Sequence, residues 1–196
     1  MTPEQTNKYR QYLRLLISYN DYKKSGEIAD LILSEQYYEK RKKVKEEEEE
    51  QQKIRKLWEG LNCSMIIAYC RPFSGNDKKS KNKIPDLTKK VLDCLTKKEK
   101  FLHNEIIEER NKIIAHSDSE AWDITPQYIL IEETNNKILF PCHKDVRAPL
   151  LPQYVKMISE MNSKLMEEIF SRRMVLENEL TDFFPIQPVS IKNNKK

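Results

Sequence analysis

The sequence predicts an all-α fold, a bundle of about five main helices with one small β-hairpin inserted among them. Three observations predict it. Charged residues make up 34% of the chain and only three residues are glycine, a composition typical of solvent-facing helices. Proline, which breaks helices, is absent from residues 4–71, 86–125 and 153–184. Within those stretches, apolar residues recur at helical spacing.

The length and the glycine content limit the class of protein. A chain of 196 residues is long enough for one domain, so we expect a single helical domain at residues 1–184 and a disordered basic tail at 185–196. Three scattered glycines cannot build a glycine-rich phosphate loop, which excludes most α/β nucleotide enzymes. Residues 65–70 form the longest nearly apolar run, too short to cross a membrane, and the first ten residues are polar. We therefore expect a cytoplasmic location.

The first proline-free stretch predicts two helices. Residues 9–19 carry apolar side chains at helical spacing, Gly26 permits a break, and a second helix is predicted from about residue 27 to residue 69. The middle of this second helix, residues 36–56, is dominated by lysine and glutamate and cannot lie in a core. It is expected to form a charged helical arm with i,i+4 ion pairs, or alternatively a frayed linker.

The rest of the chain predicts a loop, a helix, a hairpin and a final helix. Residues 71–85 contain proline, serine, glycine and asparagine and are typical of a mobile loop. An apolar stripe after Pro85 predicts a helix that ends near residue 117. Two β-prone runs around Asn135–Asn136 predict a hairpin at about residues 127–141. The last helix is predicted from about Pro152.

Cysteine and histidine do not form a recognisable metal pattern. The four cysteines include no C-x-x-C pair and are expected to be buried free thiols. Glu99 and His103 stand at i,i+4, but no second such pair supplies further ligands, so an exposed ion pair is favoured over a metal site. Cys142–His143 likewise lacks further residues that could complete a metal site. We expect no metal and no cofactor.

A basic segment follows the predicted loop. Residues 78–100 contain nine lysines against three acidic residues, an excess that suits nucleic-acid phosphates but also a solvated surface. Its first part supplies the candidate RNA contacts Lys78, Lys79, Lys81 and Lys83. Arg71 is interpreted either as a further phosphate contact or as an ion pair that anchors the loop. Tyr37 and Tyr38 either stack on bases or pack on a neighbouring helix.

The pattern with most chemical content is Arg110-Asn111 followed by His116. At about 100° per residue, Arg110 and His116 flank the apolar stripe of the helix, with Ile107 and Ile114 on the other side of Arg110. A cation held beside a histidine serves phosphate chemistry, since the histidine moves protons while the cation stabilises negative charge. In the purely structural alternative, Arg110 pairs with Glu105 or Glu109 and His116 is a helix C-terminal residue favoured by the dipole.

These residues resemble the signature of the HEPN superfamily, an arginine followed by a polar residue and, four to six residues later, a histidine. Here five residues separate Arg110 from His116. The upstream Tyr69-Cys-Arg-Pro-Phe73 also resembles a segment of abortive-infection and toxin-type HEPN proteins. The resemblance covers residues 58–118, and the last helix by topology only.

The resemblance implies a metal-independent endoribonuclease with a toxin or anti-phage role. Two identical subunits would bring both Arg110–His116 pairs into one cleft. His116 would act as general base on a ribose 2′-hydroxyl, the second copy's His116 would protonate the leaving 5′ oxygen, Arg110 would stabilise the phosphoryl charge and Asn111 would orient them. RNA, a second copy of the chain and an antitoxin or other regulator are the implied partners.

One departure affects regulation. HEPN toxins neutralised by a nucleotidyltransferase antitoxin carry a tyrosine two residues after the histidine, where this chain has Asp118. Control through modification of that tyrosine is therefore not expected. Two alternatives to the enzyme stay open: a protein-interaction module that uses the charged helix and the hairpin, and a HEPN module that binds RNA or a nucleotide without cutting.

Overall fold

The computed structural model describes residues 2–43, 49–73, 84–111, 125–131, 136–142 and 149–183. The described residues are predominantly helical. The helices are α1 (Pro3–Ser34), α2 (Tyr37–Lys43), α3 (Glu49–Cys70), α4 (Lys97–Glu109) and α5 (Pro152–Leu180). Short 3₁₀ turns lie at Arg71–Phe73, Lys89–Cys94 and Thr181–Phe183, and strands β1 and β2 at Thr125–Ile131 and Asn136–Cys142.

Helices α1 and α5 form the long antiparallel pair of the bundle. The Tyr12 hydroxyl donates to Glu177 at 3.0 Å near one end, and the Ser159 hydroxyl donates to Asp30 at 2.7 Å near the other. Helix α5 begins at Pro152, as the sequence predicts. Of the apolar stripe that the sequence predicts for this helix, Leu176 is half-buried, and the buried members are Ile158, Met161, Leu165, Ile169 and Leu180.

Helix α3 packs antiparallel to α1 on another side. The Ser25 hydroxyl donates to the Met65 carbonyl at 3.1 Å, and the Tyr22 and Tyr69 rings meet edge to face at 5.6 Å. Helix α4 crosses the end of α3, where Ile106 is buried. These contacts bury a core of aromatic and aliphatic side chains that α1, α3, α4 and α5 share.

The predicted break at Gly26 is wrong. Helix α1 continues through Gly26, where it packs closely on α5: a Cβ placed at this position would lie 3.7 Å from Cβ of Asn162. The helix instead ends about three turns later, just before Gln36, whose φ of 51° lies in the left-handed region. Continuous packing against α5 therefore outweighs the low helix propensity of glycine.

The predicted single helix through residues 27–69 is also wrong. Tyr38 of α2 packs edge to face on Trp58 of α3, with ring centroids 5.8 Å apart, although 20 positions separate them in sequence. One straight helix would hold these rings about 30 Å apart. The chain therefore turns back between α2 and α3, and residues 44–48 of the predicted arm lie outside the described residues.

The helix predicted after Pro85 begins later than expected. Residues Lys89–Cys94 form a 3₁₀ turn, and α4 starts at Lys97 behind a capping box in which Thr96 and Glu99 exchange hydrogen bonds. The extended backbone of Thr96 ends the continuity that the apolar stripe suggested. The stripe itself is buried where it is described, at Val91, Leu95, Leu102 and Ile106.

Strands β1 and β2 pair antiparallel, with Tyr128 opposite Leu139. They occupy the region of the predicted hairpin, and residues 132–135 between them lie outside the described residues, as does the predicted tail. None of the described helices is long and apolar enough to span a membrane.

The cysteines differ from the expectation of four buried thiols. Cys70 is buried, Cys63 is half-buried and Cys94 is exposed. The Cys94 thiol donates to the Val91 carbonyl at 3.2 Å, within the 3₁₀ turn. Its position before Thr96, at the break between turn and helix, brings it to the surface.

Candidate functional site

The end of α4 carries the arginine and asparagine of the sequence signature. The helix widens into a π-type turn at Arg110 and Asn111. Nη1 of Arg110 donates to Oδ1 of Asn111 at 2.9 Å. The arginine is half-buried while the asparagine is exposed. The amide therefore orients the guanidinium at the protein surface, and π-type turns frequently occur at functional sites.

The structure does not contain the ion pair that would make Arg110 purely structural. Within the described residues, no carboxylate lies within 4.0 Å of its guanidinium, and Glu105 and Glu109 do not pair with it. Burial raises the pKa of Glu109 above its usual value. The charge of Arg110 thus remains available to another anion.

Arg110 also lies near the end of α3. Burial raises the pKa of the Cys70 thiol to about 12, and the positive charge of Arg110 acts in the opposite direction. The same thiol contacts the Ile106 carbonyl, with sulfur and oxygen 3.7 Å apart. The guanidinium is therefore placed where the carboxyl ends of α3 and α4 meet.

The segment Tyr69–Phe73 packs on α4 and not in a free loop. The Tyr69 hydroxyl lies 3.0 Å from Nδ1 of His103 in a buried hydrogen bond. The Phe73 ring meets the His103 ring edge to face at 5.0 Å. The segment Tyr69–Phe73 thus contacts α4, the helix that leads to Arg110, through His103.

The predicted ion pair between Glu99 and His103 is wrong. Both side chains are buried; Glu99 accepts from Nζ of Lys164 at 2.7 Å, and His103 bonds to Tyr69 instead. Burial, with a smaller effect of Lys89, lowers the pKa of His103 to about 4. No group of three potential metal ligands occurs in the part of the chain that is described. Sequence analysis missed the role of His103, since nothing local identifies Tyr69 as its partner.

Arg71 makes an ion pair with Asp21 of α1, with Nη1 and Oδ1 3.6 Å apart. Burial raises the pKa of Asp21, and the charge of Arg71 opposes that effect. The contact matches the interpretation of Arg71 as an anchor that holds the chain leaving α3. About half of its side chain stays exposed.

A cleft of about 500 Å³ opens beside the end of α4. Its walls come from the 3₁₀ turn before α4, from Phe73 and from the exposed side of α4 itself. Residues lining it include Lys89, His103, Asn104, Ile107 and Asn111. Glu108 also lines it, so the cleft combines aromatic and apolar walls with two amides, one lysine and one carboxylate. Aromatic and apolar walls of this kind can accept a base.

Several predicted site residues lie outside the described residues. They are His116, Lys78, Lys79, Lys81 and Lys83, together with Ile113 and Ile114. Ile106 is buried in the core of its own chain, which leaves its side chain no surface for contact with a second copy. Ile107 is half-buried and lines the cleft.

The chain was compared with protein-family models, with curated proteins and with solved structures, and none of the three comparisons gives a significant match.

Proposed function

We propose that this chain is a HEPN-type, metal-independent endoribonuclease with a toxin or abortive-infection role. The proposal depends on the environment of the Arg110 side chain. Its guanidinium is held by Asn111, which lines an open cleft at the end of α4, and no described carboxylate lies within 4.0 Å of that guanidinium. An oriented cation of this kind stabilises negative charge that develops on a phosphoryl group.

The proposed reaction is attack of a ribose 2′-hydroxyl on the adjacent phosphorus. His116 takes the hydroxyl proton, the bond from phosphorus to the 5′ oxygen breaks, and the second copy's His116 protonates that oxygen. Arg110 stabilises the extra negative charge on the phosphoryl oxygens, and Asn111 keeps the guanidinium in place. The products are a 2′,3′-cyclic phosphate and a 5′-hydroxyl. No metal participates in these steps.

The cleft beside α4 supports a path for the RNA. Phe73 and Ile107 offer an apolar surface to a base, and Lys89 lies at the same cleft to contact a phosphate. In this proposal Lys78, Lys79, Lys81 and Lys83 extend the phosphate contacts, and Arg71 remains primarily an anchor through Asp21.

The direct test is cleavage of labelled single-stranded RNA in buffer containing EDTA. Arg110→Ala and His116→Ala are each expected to lower the cleavage rate by at least about 100-fold, the scale of a lost acid–base or charge-stabilising group. Asn111→Ala should lower it less, because the arginine stays but loses its orientation. His143→Ala is the matched control and should retain activity.

The chemical outcome adds a second criterion. A single 2′-deoxy nucleotide at the cut site should block cleavage there, and the upstream product should carry a cyclic phosphate detectable by mass spectrometry. Cleavage that survives both His116→Ala and the 2′-deoxy substitution would refute the mechanism. RNA binding without cleavage at any condition would favour the non-catalytic RNA-binding module.

A separate experiment tests whether two copies of the chain share one active site. If both copies contribute, the specific activity should fall on dilution in parallel with dimer dissociation measured by light scattering. A monomer that keeps full specific activity on dilution would rule out the shared site while leaving the chemistry of Arg110 and His116 intact.

A further inference from the structure

We propose that a second cavity, between α1, residues 85–90 and α5, binds a small phosphate ester with an apolar body, of the size of a nucleoside monophosphate. The cavity has a volume of about 490 Å³. It is lined from three sides by Arg14 of α1, Lys90 of the 3₁₀ turn and Arg172 of α5. The proposal does not depend on the ribonuclease activity, since Arg110 and Asn111 do not line this cavity.

The central observation is the buried guanidinium of Arg14. The residue is only 7% exposed, and its Nε donates to the Pro85 carbonyl. Within the described residues, no carboxylate lies within 4.0 Å of it, although its charge acts at longer range to lower the pKa of Asp21. Asp21, two helical turns along α1, pairs with Arg71 instead. A largely buried charge that makes no close ion pair is costly, and an anion in the cavity would offset part of that cost.

A second arginine lies opposite the first. Contacts such as Tyr12 with Glu177 and Ser25 with Asn162 set the antiparallel register of α1 and α5, and this register places Arg172 across from Arg14. Arg172 is positioned by two hydrogen bonds, one from Nε to Glu168 at 2.7 Å and one from Nη2 to the Lys90 carbonyl at 3.2 Å. The cavity therefore holds two guanidinium groups on opposite walls.

The charge of the lining favours a phosphate over a carboxylate. Three basic residues, Arg14, Lys90 and Arg172, line the cavity together with one acidic residue, Asp86, while Nε of Arg172 is paired with Glu168. A phosphate monoester presents three terminal oxygens, and these can accept from N–H groups of both arginines more readily than the two oxygens of a carboxylate can.

The remaining lining residues are mostly apolar and favour a phosphate that is attached to an organic group. Leu15 and Leu87 are buried at the cavity, Leu176 is half-buried, and Val175 is exposed. Asn7 and Gln11 add two exposed amide groups, which supply both donors and acceptors. The volume lies in the range of small-ligand sites, well above what inorganic phosphate needs.

Calorimetric titration of the whole chain tests the proposal with four probes: adenosine monophosphate, phenyl phosphate, benzoate and inorganic phosphate. The two phosphate esters are expected to bind with one-to-one stoichiometry. Benzoate and inorganic phosphate should bind about tenfold more weakly or not at all, because each lacks either the second charge or the apolar body.

Two variants and one control localise the site. Arg14→Gln removes the buried cation, and Val175→Glu places a negative charge at an exposed position on the cavity. Each should weaken phenyl phosphate binding about tenfold or more. Lys156→Gln, an exposed change on the other half of α5, should leave it unchanged. Because Arg14 also holds the Pro85 carbonyl, Val175→Glu keeps the test valid if Arg14→Gln fails to fold.

Three results would overturn the proposal: no binding of either phosphate ester, binding that both variants leave unchanged, or inorganic phosphate binding as tightly as the esters. Equal binding of benzoate and phenyl phosphate would refute the preference for phosphate. RNA cleavage is not a readout in this experiment, so its outcome is separate from that of the proposed ribonuclease.

Discussion

The hydroxyl of Tyr69 and Nδ1 of His103 lie 3.0 Å apart in the interior, and this hydrogen bond joins the end of α3 to the middle of α4. The Phe73 ring packs on the same imidazole. Since Arg110 lies two turns further along α4, the contact fixes the helix that presents the guanidinium. The segment Tyr69–Phe73 therefore acts as a support for the candidate site.

Tyr69→Phe is expected to reduce the free energy of unfolding by about 1–3 kcal/mol, because it leaves a buried imidazole nitrogen without its partner. Urea denaturation followed by circular dichroism measures the change. Tyr154→Phe, on an exposed tyrosine, is the control and should have little effect. Equal stability of the Tyr69 variant and the wild type would show that the hydrogen bond contributes nothing.

The stability of the protein should fall as the pH drops from about 6.5 to about 4. Burial, followed by the charge of Lys89, lowers the pKa of His103 from 6.5 in the unfolded chain to about 4 in the folded one. The unfolded state therefore binds a proton that the folded state excludes, and the stability present above pH 6.5 is lost through this window. The shift corresponds to a loss on the order of 3 kcal/mol.

The slope of stability against pH isolates this effect. His103→Gln should flatten the profile between these pH values, whatever its stability at neutral pH, because glutamine does not titrate. A profile equally steep in the variant would assign the acid sensitivity to other groups.

Gly26→Ala is expected to stabilise the protein by about 0.5–1 kcal/mol. The new methyl group would meet Asn162 at an ordinary contact distance of 3.7 Å, in a helix whose backbone at this position is regular. Gly60→Ala provides the comparison, since a Cβ there meets nothing within 4 Å. A melting temperature lowered by Gly26→Ala alone would indicate that the α1–α5 contact cannot accept the methyl group.

Replacing Lys78, Lys79, Lys81 and Lys83 by glutamine should weaken RNA binding and flatten its salt dependence. Each lost phosphate contact reduces the log–log slope by roughly 0.7 for a single strand. In the proposed ribonuclease, cleavage in single turnover at saturating RNA should change little, because this variant keeps Arg110 and His116. Filter binding across a salt series measures the slope.

The control for this quadruple lysine variant has the same change in net charge, at lysines of α1 and α3. Replacing the exposed Lys23, Lys24, Lys53 and Lys56 by glutamine should leave the slope closer to that of the wild type. If both quadruple variants lose the same slope, the RNA contacts depend on overall charge and not on residues 78–83.

The sequence by itself determined the helical class, the start of α5 at Pro152 and the apolar stripes that form the core. These features depend on local periodicity and on proline, so neighbouring positions suffice to predict them. The choice of Arg110 and Asn111 as a candidate site also came from adjacent residues. Their hydrogen bond joins neighbours in the chain.

The tertiary structure decided which side chains meet. Gly26 remains helical because α5 lies against it, the chain reverses at Gln36, and His103 turns to Tyr69 although Glu99 is one helical turn away. Arg71 forms an ion pair with Asp21, and Arg14 lies across from Arg172. Both relationships depend on the register between helices that are far apart in sequence. The helix propensity of a segment can be estimated from its own residues. The segment against which each helix face packs cannot, because the packing free energy depends on residues far apart in the sequence.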